Sequence, residues 1–235
     1  ETIPDEVKTI ADEAYYGGRF EAALTGEIQG PLWECDIRSA YPAQMTRLIS
    51  FADGEWAHAE WDKAGGPALL RVVWETKASP DDLWYGPFPV RRYGSGLMYP
   101  RKGEGWYWST EVTAAMELPG VDINVLDCWQ FYPNTIRYPF GYMRELYQLR
   151  QQYKAEGNAA EYVLKLILNS TYGKMAQKPH GNYECKYSNK LYAGLITAGT
   201  RAQLLGAIAQ APHDIIFLAT DGLVTRKKLI IEEGK

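Results

Sequence analysis

The order of strand-like and helix-like segments constrains this chain most, because its strands do not alternate regularly with helices. The segments "WECDI", "LLRVVWE" and "INVLDCWQF" predict strands, and the Gly-, Pro- and aromatic-rich stretch over residues 85–108 predicts short strands and turns. A doubly wound parallel sheet would need a helix after nearly every strand. The order therefore predicts an α+β fold.

Helical periodicity is strongest in the second half of the chain. It predicts helices over Pro139–Tyr153 and Asn158–Tyr172, and the break at "EGN" predicts that the two form an antiparallel hairpin. Further helices are predicted over residues 4–15, 109–118 and 190–210, with Ser109 as a candidate N-cap. Near the end, "DIIFLATDGLVTR" predicts two strands joined at Asp-Gly.

Composition bounds the class of protein. The chain has 235 residues, 46% of them hydrophobic, which suits one large domain or two small ones. It contains no apolar run of the roughly 18 residues that a membrane span needs, and its first residues carry acids where a signal peptide carries bases. Three cysteines lack the spacing of a disulfide framework or a zinc site. We therefore expect a cytoplasmic protein with no membrane partner.

The charge is distributed unevenly. The chain carries a net −4, yet residues 137–178 hold seven bases and three acids, which leaves +4 there and −8 elsewhere. A positive cleft in an acidic protein suits a polyanionic ligand, such as a nucleotide or a nucleic acid, better than a membrane surface.

The segment "LKLILNSTYGKMAQKP" places polar side chains within this basic stretch. On a helix with about 100° per residue, one face is expected to pack through Val163, Leu164 and Ile167. The other face is simply solvated, or it presents chemistry to a ligand. The residues of this second face are Lys165, Asn169, Tyr172 and Gly173.

Two aspartates follow strand-like segments. Asp36 ends "WECD" and Asp221 follows "IIFLAT". Taken singly, each reads as a turn or N-cap residue. Taken together, carboxylates at neighbouring strand ends can hold two magnesium ions about 3.5–4 Å apart, the arrangement that phosphoryl transfer uses.

Four short motifs resemble those of family B DNA polymerases, in the order of that family. "DIRSAYP" resembles motif A, D-x-x-S-L-Y-P; "KLILNSTYG" is similar to motif B, K-x-x-x-N-S-x-Y-G; and "FLATDGL" resembles motif C, Y-x-D-T-D-S. Ahead of them, "YYGG" resembles the Y-x-G-G element of the protein-primed phage and linear-plasmid branch. The resemblance covers nearly the whole chain.

The resemblance implies a polymerase palm, whose antiparallel sheet bears the catalytic aspartates, and a helical-hairpin fingers subdomain, with thumb and exonuclease absent. The implied divisions are an N-terminal segment (1–30), the palm with an insertion between motifs A and B (31–138), the fingers (139–178) and the palm with motif C (179–235). The implied activity is template-directed addition of deoxynucleotides to a primer 3′-hydroxyl in viral or plasmid DNA replication.

The resemblance also implies roles for individual residues. Asp36 and Asp221 are the catalytic residues and, with the carbonyl of Ile37, bind two Mg²⁺ ions, for which Mn²⁺ substitutes. Tyr41 is a steric gate against the ribose 2′-hydroxyl. The other nucleotide-binding residues are Ser39, Ala40, Arg150, Lys154, Lys165, Asn169 and Tyr172, with Arg150 and Lys154 sharing one exposed helix face. Contacts with primer-template DNA are expected from Tyr15, Gly17, Gly18, Gly173 and Lys174.

Motif C departs from the family pattern. Ala219 stands where the family usually has its first aspartate, and Gly222 where it has serine. One alternative is therefore a catalytically inactive polymerase-fold module that binds DNA or a replication partner. A second alternative is an α+β nucleotide-binding protein of a different class, in which the motif matches are accidental. The resemblance also leaves open whether a terminal protein or an oligonucleotide supplies the primer.

Overall fold

The computed structural model describes residues 3–77, 86–92, 96–177 and 185–230. The helices within these ranges are α1 (Asp5–Glu13), α2 (Ala40–Met45), α3 (Ser109–Met116), α4 (Tyr142–Ala155), α5 (Ala160–Ala176) and α6 (Lys190–Gln210). The strands are β1 (Arg19–Ala22), β2 (Trp33–Asp36), β3 (Gly54–His58), β4 (Ala68–Thr76), β5 (Val90–Arg92), β6 (Gly96–Met98), β7 (Lys102–Trp108), β8 (Val121–Pro133), β9 (Ile215–Thr220) and β10 (Gly222–Thr225).

The predicted elements are largely confirmed. The helix expected over residues 190–210 has those bounds, and α4 and α5 pack together as the expected hairpin. Part of the strand-and-turn prediction for residues 85–108 concerns residue 85 and residues 93–95, which lie outside the described residues. The same holds for Lys178, the predicted end of the fingers.

The described strands pair antiparallel and form two four-stranded sheets and a two-stranded ribbon. The first sheet has the order β1-β9-β10-β2, the second has the order β3-β8-β4-β7, and β5 pairs with β6. This arrangement confirms a mixed α and β fold built on antiparallel sheets.

Helix α6 lies at the centre of the molecule and contacts helices α1, α2, α3 and α5 as well as strands β7 and β9. Its N-terminus is capped because the Asn189 side chain accepts a hydrogen bond from the Tyr192 N–H at 3.1 Å. A side chain at Gly194 would lie 2.5 Å from Nε1 of Trp108, so glycine lets α6 approach the second sheet. None of the described helices, α6 included, is both long enough and apolar enough to cross a membrane.

Two apolar clusters flank α6. The first lies between the two sheets and α3, where the rings of Phe88 and Tyr107 stack with centroids 4.5 Å apart. The second surrounds α1, α2 and α5, and it buries Met45, Leu168 and Phe131. The motif-bearing segments are therefore held between two packed cores.

The predicted N-cap of α3 is wrong. Ser109 is the first residue of α3 and Trp108 is the N-cap, with an extended backbone. The Ser109 hydroxyl instead accepts a hydrogen bond from the backbone N–H of Ala68 at 3.1 Å. Its polar group serves tertiary packing rather than the helix terminus.

The predicted packing face of α5 is also wrong in part. Val163 and Ile167 are 55% and 43% exposed, whereas Leu164, Leu168 and Met175 are buried. Apolar residues occur on several sides of this helix, so periodicity alone does not select one face. The stripe that faces α4 and α6 is the one that packs.

Candidate active site

Strand pairing brings the two aspartates together. Asp36 is the last residue of β2 and lies opposite Gly222, the first residue of β10. The N–H of Ile37 donates a hydrogen bond to the backbone carbonyl of Asp221 at 2.9 Å. Ala219 of β9 also pairs with Gly222, so Ala219, Gly222 and Asp36 form one row across three strands. Both aspartates therefore lie at the same end of the first sheet, where β2 ends and where β9 turns into β10.

Glycine at position 222 leaves room for the Asp36 carboxylate. A side chain there would place its Cβ 3.2 Å from Oδ1 of Asp36, which is closer than ordinary contact. Burial raises the pKa of Asp36, and the negative charges of Asp221 and Glu34 raise it further. The carboxylate thus stands in a negative field that a cation would relieve.

The backbone beside each aspartate has an unusual conformation. Ser39, three residues after Asp36, has φ 50°, and Thr220, just before Asp221, has φ 58°. Among the described residues these are the two non-glycine positions with positive φ. Such conformations cost about 1–3 kcal/mol and cluster at functional sites. Both strained residues fall in the motifs that carry the aspartates.

The turn between β9 and β10 differs from the expected Asp-Gly turn. The N–H of Asp221 donates to the carbonyl of Ala219 at 2.6 Å, which closes a three-residue turn around Thr220. Gly222 already belongs to β10. The prediction placed the turn one residue too late, because Asp-Gly is favoured by sequence whereas Thr with positive φ is not.

Three tyrosines from distant motifs pack together. The rings of Tyr41 and Tyr172 lie 4.2 Å apart at 38°, and the hydroxyl of Tyr172 lies 3.4 Å from that of Tyr15. Burial raises the pKa of Tyr41, and the charge of Asp221 raises it further. Tyr172 therefore contacts motif A and the N-terminal motif and is only partly exposed.

The prediction that Arg150 and Lys154 share an exposed helix face is wrong for Arg150. Lys154 is exposed, whereas the Arg150 side chain is only 16% exposed and lies between α5 and the motif A segment. Its Nε donates to Glu161 at 3.2 Å and its Nη1 to the Ser39 hydroxyl at 3.5 Å. An ion pair within the helical hairpin turns Arg150 towards the start of α2, where Ala40 is buried.

Four of the remaining predicted residues, Lys165, Asn169, Gly173 and Lys174, belong to α5. Lys165 and Asn169 are exposed, and Lys174 is exposed and donates to the side chain of Gln177 at 3.4 Å. A Cβ at Gly17 or Gly173 would meet nothing within 4 Å. Packing does not require glycine at these two positions, which leaves their backbones open to a ligand.

Several buried polar residues were not predicted from the sequence. Arg201 and Glu111 form an ion pair in which each side chain is 1% exposed, and Thr197 donates to the carbonyl of Tyr16 at 2.7 Å. The available signal for Arg201 was a single arginine in the middle of a mostly apolar helix. Glu111 and Thr197 gave none.

The metal ligands predicted from the sequence are the carboxylates of Asp36 and Asp221 and the carbonyl of Ile37. In the part of the chain that the structure describes, no three His, Cys, Asp or Glu side chains converge on one point. Magnesium is commonly bound through one or two carboxylates, with phosphate and water oxygens completing its shell. These protein ligands fit a magnesium ion whose remaining coordination positions are filled by oxygens of a substrate phosphate and of water.

Known proteins match this chain in sequence and in fold. The family described as DNA polymerase type B, organellar and viral, matches residues 3–202. A DNA polymerase of Acidianus bottle-shaped virus (isolate Italy/Pozzuoli) is 38% identical over 94% of this chain and 34% of that polymerase. The primer-independent DNA polymerase PolB of Escherichia coli is 24% identical over 72% of this chain and 21% of its own length. The chain thus spans about a third or less of these relatives.

The fold matches solved structures of Phi29 DNA polymerase. Its orthorhombic crystal form superposes with a TM-score of 0.70 at 20% identity, over 98% of this chain and 45% of that one. Its ternary complex with primer-template DNA and incoming nucleotide substrates gives 0.69 at 19% identity, over the same shares. At these identities the match shows a common fold.

Proposed function

Since the chain belongs to the organellar and viral type B DNA polymerases, we propose that it forms the catalytic core of a template-directed DNA polymerase. In this proposal the first sheet is the palm and the hairpin of α4 and α5 is the fingers. The proposal divides the chain into an N-terminal segment (1–30), the palm with an insertion (31–138), the fingers (139–178) and the palm with motif C (179–235).

Asp36 and Asp221 are the catalytic residues in this proposal. With the carbonyl of Ile37 they would hold two Mg²⁺ ions, or Mn²⁺ in their place. When bound, such ions ease deprotonation of the primer 3′-hydroxyl and stabilise the charge on the phosphate under attack. The observation that carries the proposal is that strand pairing brings Asp36 next to the turn that holds Asp221, while Tyr41 of motif A contacts Tyr172 of motif B.

The incoming deoxynucleotide would lie between α2 and α5. Tyr41 supports the sugar from below and excludes a 2′-hydroxyl, while Tyr172 braces Tyr41 from the opposite helix. Arg150 already points at Ser39, so its guanidinium lies where it can contact a phosphate held at the start of α2. The other proposed phosphate and base contacts are Ala40, Lys154, Lys165 and Asn169.

Primer-template DNA would approach the open backbones of Gly17 and Gly173. Tyr15, Gly18 and Lys174 complete the proposed contacts, and the excess of basic residues near α5 favours the phosphate backbone. Whether a terminal protein or an oligonucleotide provides the primer hydroxyl is a separate question, which the choice of primer in the assay addresses.

Single-nucleotide addition by the Asp221→Asn variant tests the proposal. We expect the variant to lose extension at every Mg²⁺ and Mn²⁺ concentration, because the site then lacks a charge that the metal ions need. Its thermal stability should stay close to that of the parent, since Asn preserves the size of the side chain. Extension at the parental rate would contradict the assignment.

A catalytically inactive DNA-binding module is the second candidate, and Ala219 favours it. Position 219 lies in the same row as Asp36, so the chain lacks a carboxylate where its relatives' motif has one. This candidate predicts salt-dependent binding of primer-template DNA without any nucleotide addition.

A further inference from the structure

A buried ion pair lies behind the candidate active site and takes no part in the proposed chemistry. Nε of Arg201 donates to Oε1 of Glu111 at 2.6 Å, and Nη2 donates to Oε2 at 2.7 Å. This two-point contact joins α6 to α3. Burial alone would lower the pKa of Arg201, but the charge and hydrogen bonds of Glu111 outweigh it and hold the pKa above its ordinary value.

The third nitrogen of the guanidinium binds the backbone of the N-terminal motif. Nη1 of Arg201 donates to the carbonyls of Tyr16 at 2.8 Å and Gly17 at 2.7 Å. Thr197, one turn earlier on α6, donates to the same Tyr16 carbonyl. Because Glu111 occupies the other two nitrogens, it fixes the plane of the guanidinium that meets these carbonyls.

The segment held in this way reaches both halves of the site. At its start, Tyr15 brings its hydroxyl to 3.4 Å from that of Tyr172 on α5. At its end, Gly18 lies so close to Thr220 that an added Cβ would be 2.6 Å from Cγ2 of that residue. Thr220 is the strained residue that precedes Asp221. Residues 15–18 therefore contact both Tyr172, which belongs to the proposed nucleotide site, and the turn that carries Asp221, a proposed metal ligand.

We propose that Arg201, oriented by Glu111, is a positioning residue that holds residues 15–18 so that Tyr15 supports Tyr172 and Gly18 seats the turn carrying Asp221. The inference rests on the proposed function for its meaning in catalysis. The positive charge of Arg201 also lowers the pKa of Tyr41 against the dominant effect of burial, which places the guanidinium within electrostatic reach of the site.

A charge-free double variant separates positioning from folding. Replacing a buried ion pair by apolar residues of similar volume is often neutral or stabilising, whereas removing one partner is strongly destabilising. Glu111→Leu combined with Arg201→Met therefore keeps the core filled but removes the hydrogen bonds to Tyr16 and Gly17. We expect the melting temperature to stay near that of the parent and kcat to fall by about 100-fold, since small misplacements of reacting groups have effects of that size.

Two comparisons make this test specific. The KM for deoxynucleotide should change only a few-fold, because the residues proposed to bind it remain present. The KM for DNA should rise together with the loss of kcat, because residues 15–18, which Arg201 no longer holds, include proposed DNA contacts. Val72→Ala, in the buried middle of β4, serves as the control for general loss of stability. If the double variant keeps the parental kcat, or if Val72→Ala loses as much kcat, Arg201 has no positioning role.

Hydrogen exchange provides a readout that does not depend on activity. In the double variant the amides of residues 15–22 and 218–222 should exchange faster than in the parent, while those of β4 and β8 should keep their rates. If the parent adds no nucleotide, the proposed function fails and exchange alone decides the positioning role. Unchanged exchange in both segments would overturn the inference even in an active enzyme.

Discussion

At the scale of single residues, the site depends on contacts between positions far apart in the sequence. Tyr41 and Tyr172 are separated by 130 residues, yet their rings are in contact, and Tyr15 completes the group from the N-terminal motif. Each ring limits where the others can lie. A substitution in one tyrosine should therefore affect selectivity before it affects stability.

Replacing Tyr41 tests its proposed role as a steric gate. In Tyr41→Val the space beneath the sugar opens, so incorporation of ribonucleotides should rise by about 10-fold or more relative to deoxynucleotides, because the clash that excludes them is lost. The measurement is the ratio of kcat/KM for the two nucleotide types. Tyr138→Val, at an exposed tyrosine, is the control. An unchanged ratio in Tyr41→Val would mean that Tyr41 acts only in packing.

The two glycines of the N-terminal motif should respond differently to alanine. Gly18→Ala forces a Cβ against Thr220, so we expect a fall in melting temperature and weaker nucleotide addition. Gly17→Ala meets no atom within 4 Å, so its stability should be unchanged while its affinity for DNA falls. Thermal unfolding and DNA titration of both variants are the measurements. Equal melting temperatures for the two variants would argue against the close contact.

Residue types could be predicted from sequence, but their conformations could not. The motif residues near Asp36 and Asp221 identify the chemistry expected of the site. Nothing in the sequence indicates that Ser39 and Thr220 adopt positive φ, because the intrinsic preference of both residues opposes it. The surrounding packing determines these angles. The role of Arg201 was likewise hidden, since its partners come from distant segments.

At the scale of elements, the sequence predicted existence and type better than orientation. The bounds of α6 and the hairpin of α4 and α5 follow from periodicity and from the break at Gly157. The buried face of α5 could not be predicted from periodicity, because the helix has several apolar stripes and packing against the neighbouring helices determines which one is buried. The direction of Arg150 was missed for the same reason, since Glu161 on the facing helix attracts it inward.

Helix α5 offers a test in which stability and function should change in opposite directions. Gly173 lies inside the helix and an added Cβ would meet nothing, so Gly173→Ala should stabilise the fold by about 0.5–1 kcal/mol. If DNA approaches this backbone, the same methyl group should weaken DNA binding. Gly206→Ala, in α6 with the same open surroundings, should give the gain in stability alone.

The measurements are unfolding free energy and the dissociation constant for primer-template DNA in both glycine variants. Weaker binding in Gly173→Ala but not in Gly206→Ala supports a DNA contact at α5. Parental affinity in both variants would remove Gly173 from the DNA-binding surface, whatever their stability.

At the scale of the whole molecule, the central helix connects the parts that the sequence presents separately. Helix α6 contacts the N-terminal helix α1, the motif A helix α2 and helix α5 of the helical hairpin. It also supplies Arg201 to the N-terminal motif and lies against β9, which leads to Asp221. Motifs spread over the length of the chain thereby converge on one site.

Ala219→Asp distinguishes a working polymerase from an inactive module. Position 219 shares a row with Gly222 and Asp36, so a new carboxylate would face the same side of the sheet as Asp36. If Asp36 and Asp221 suffice to hold the metal ions, the parent already adds nucleotides. The added charge should then change the rate only a few-fold and lower the Mg²⁺ concentration for half-maximal activity, because it attracts cations.

The inactive alternative predicts a different pattern for the same pair of proteins. The parent would bind primer-template DNA with an affinity that falls as salt rises, yet add no nucleotide with either Mg²⁺ or Mn²⁺. Single-nucleotide addition by the natural full-length protein, measured across metal concentrations with and without Ala219→Asp, decides between the two. We expect activity in the parent, because the rings of Tyr41 and Tyr172 are in contact and Arg150 contacts Ser39, three residues after Asp36, as the proposed nucleotide site requires. A parent that binds DNA and never extends it would establish the inactive module instead.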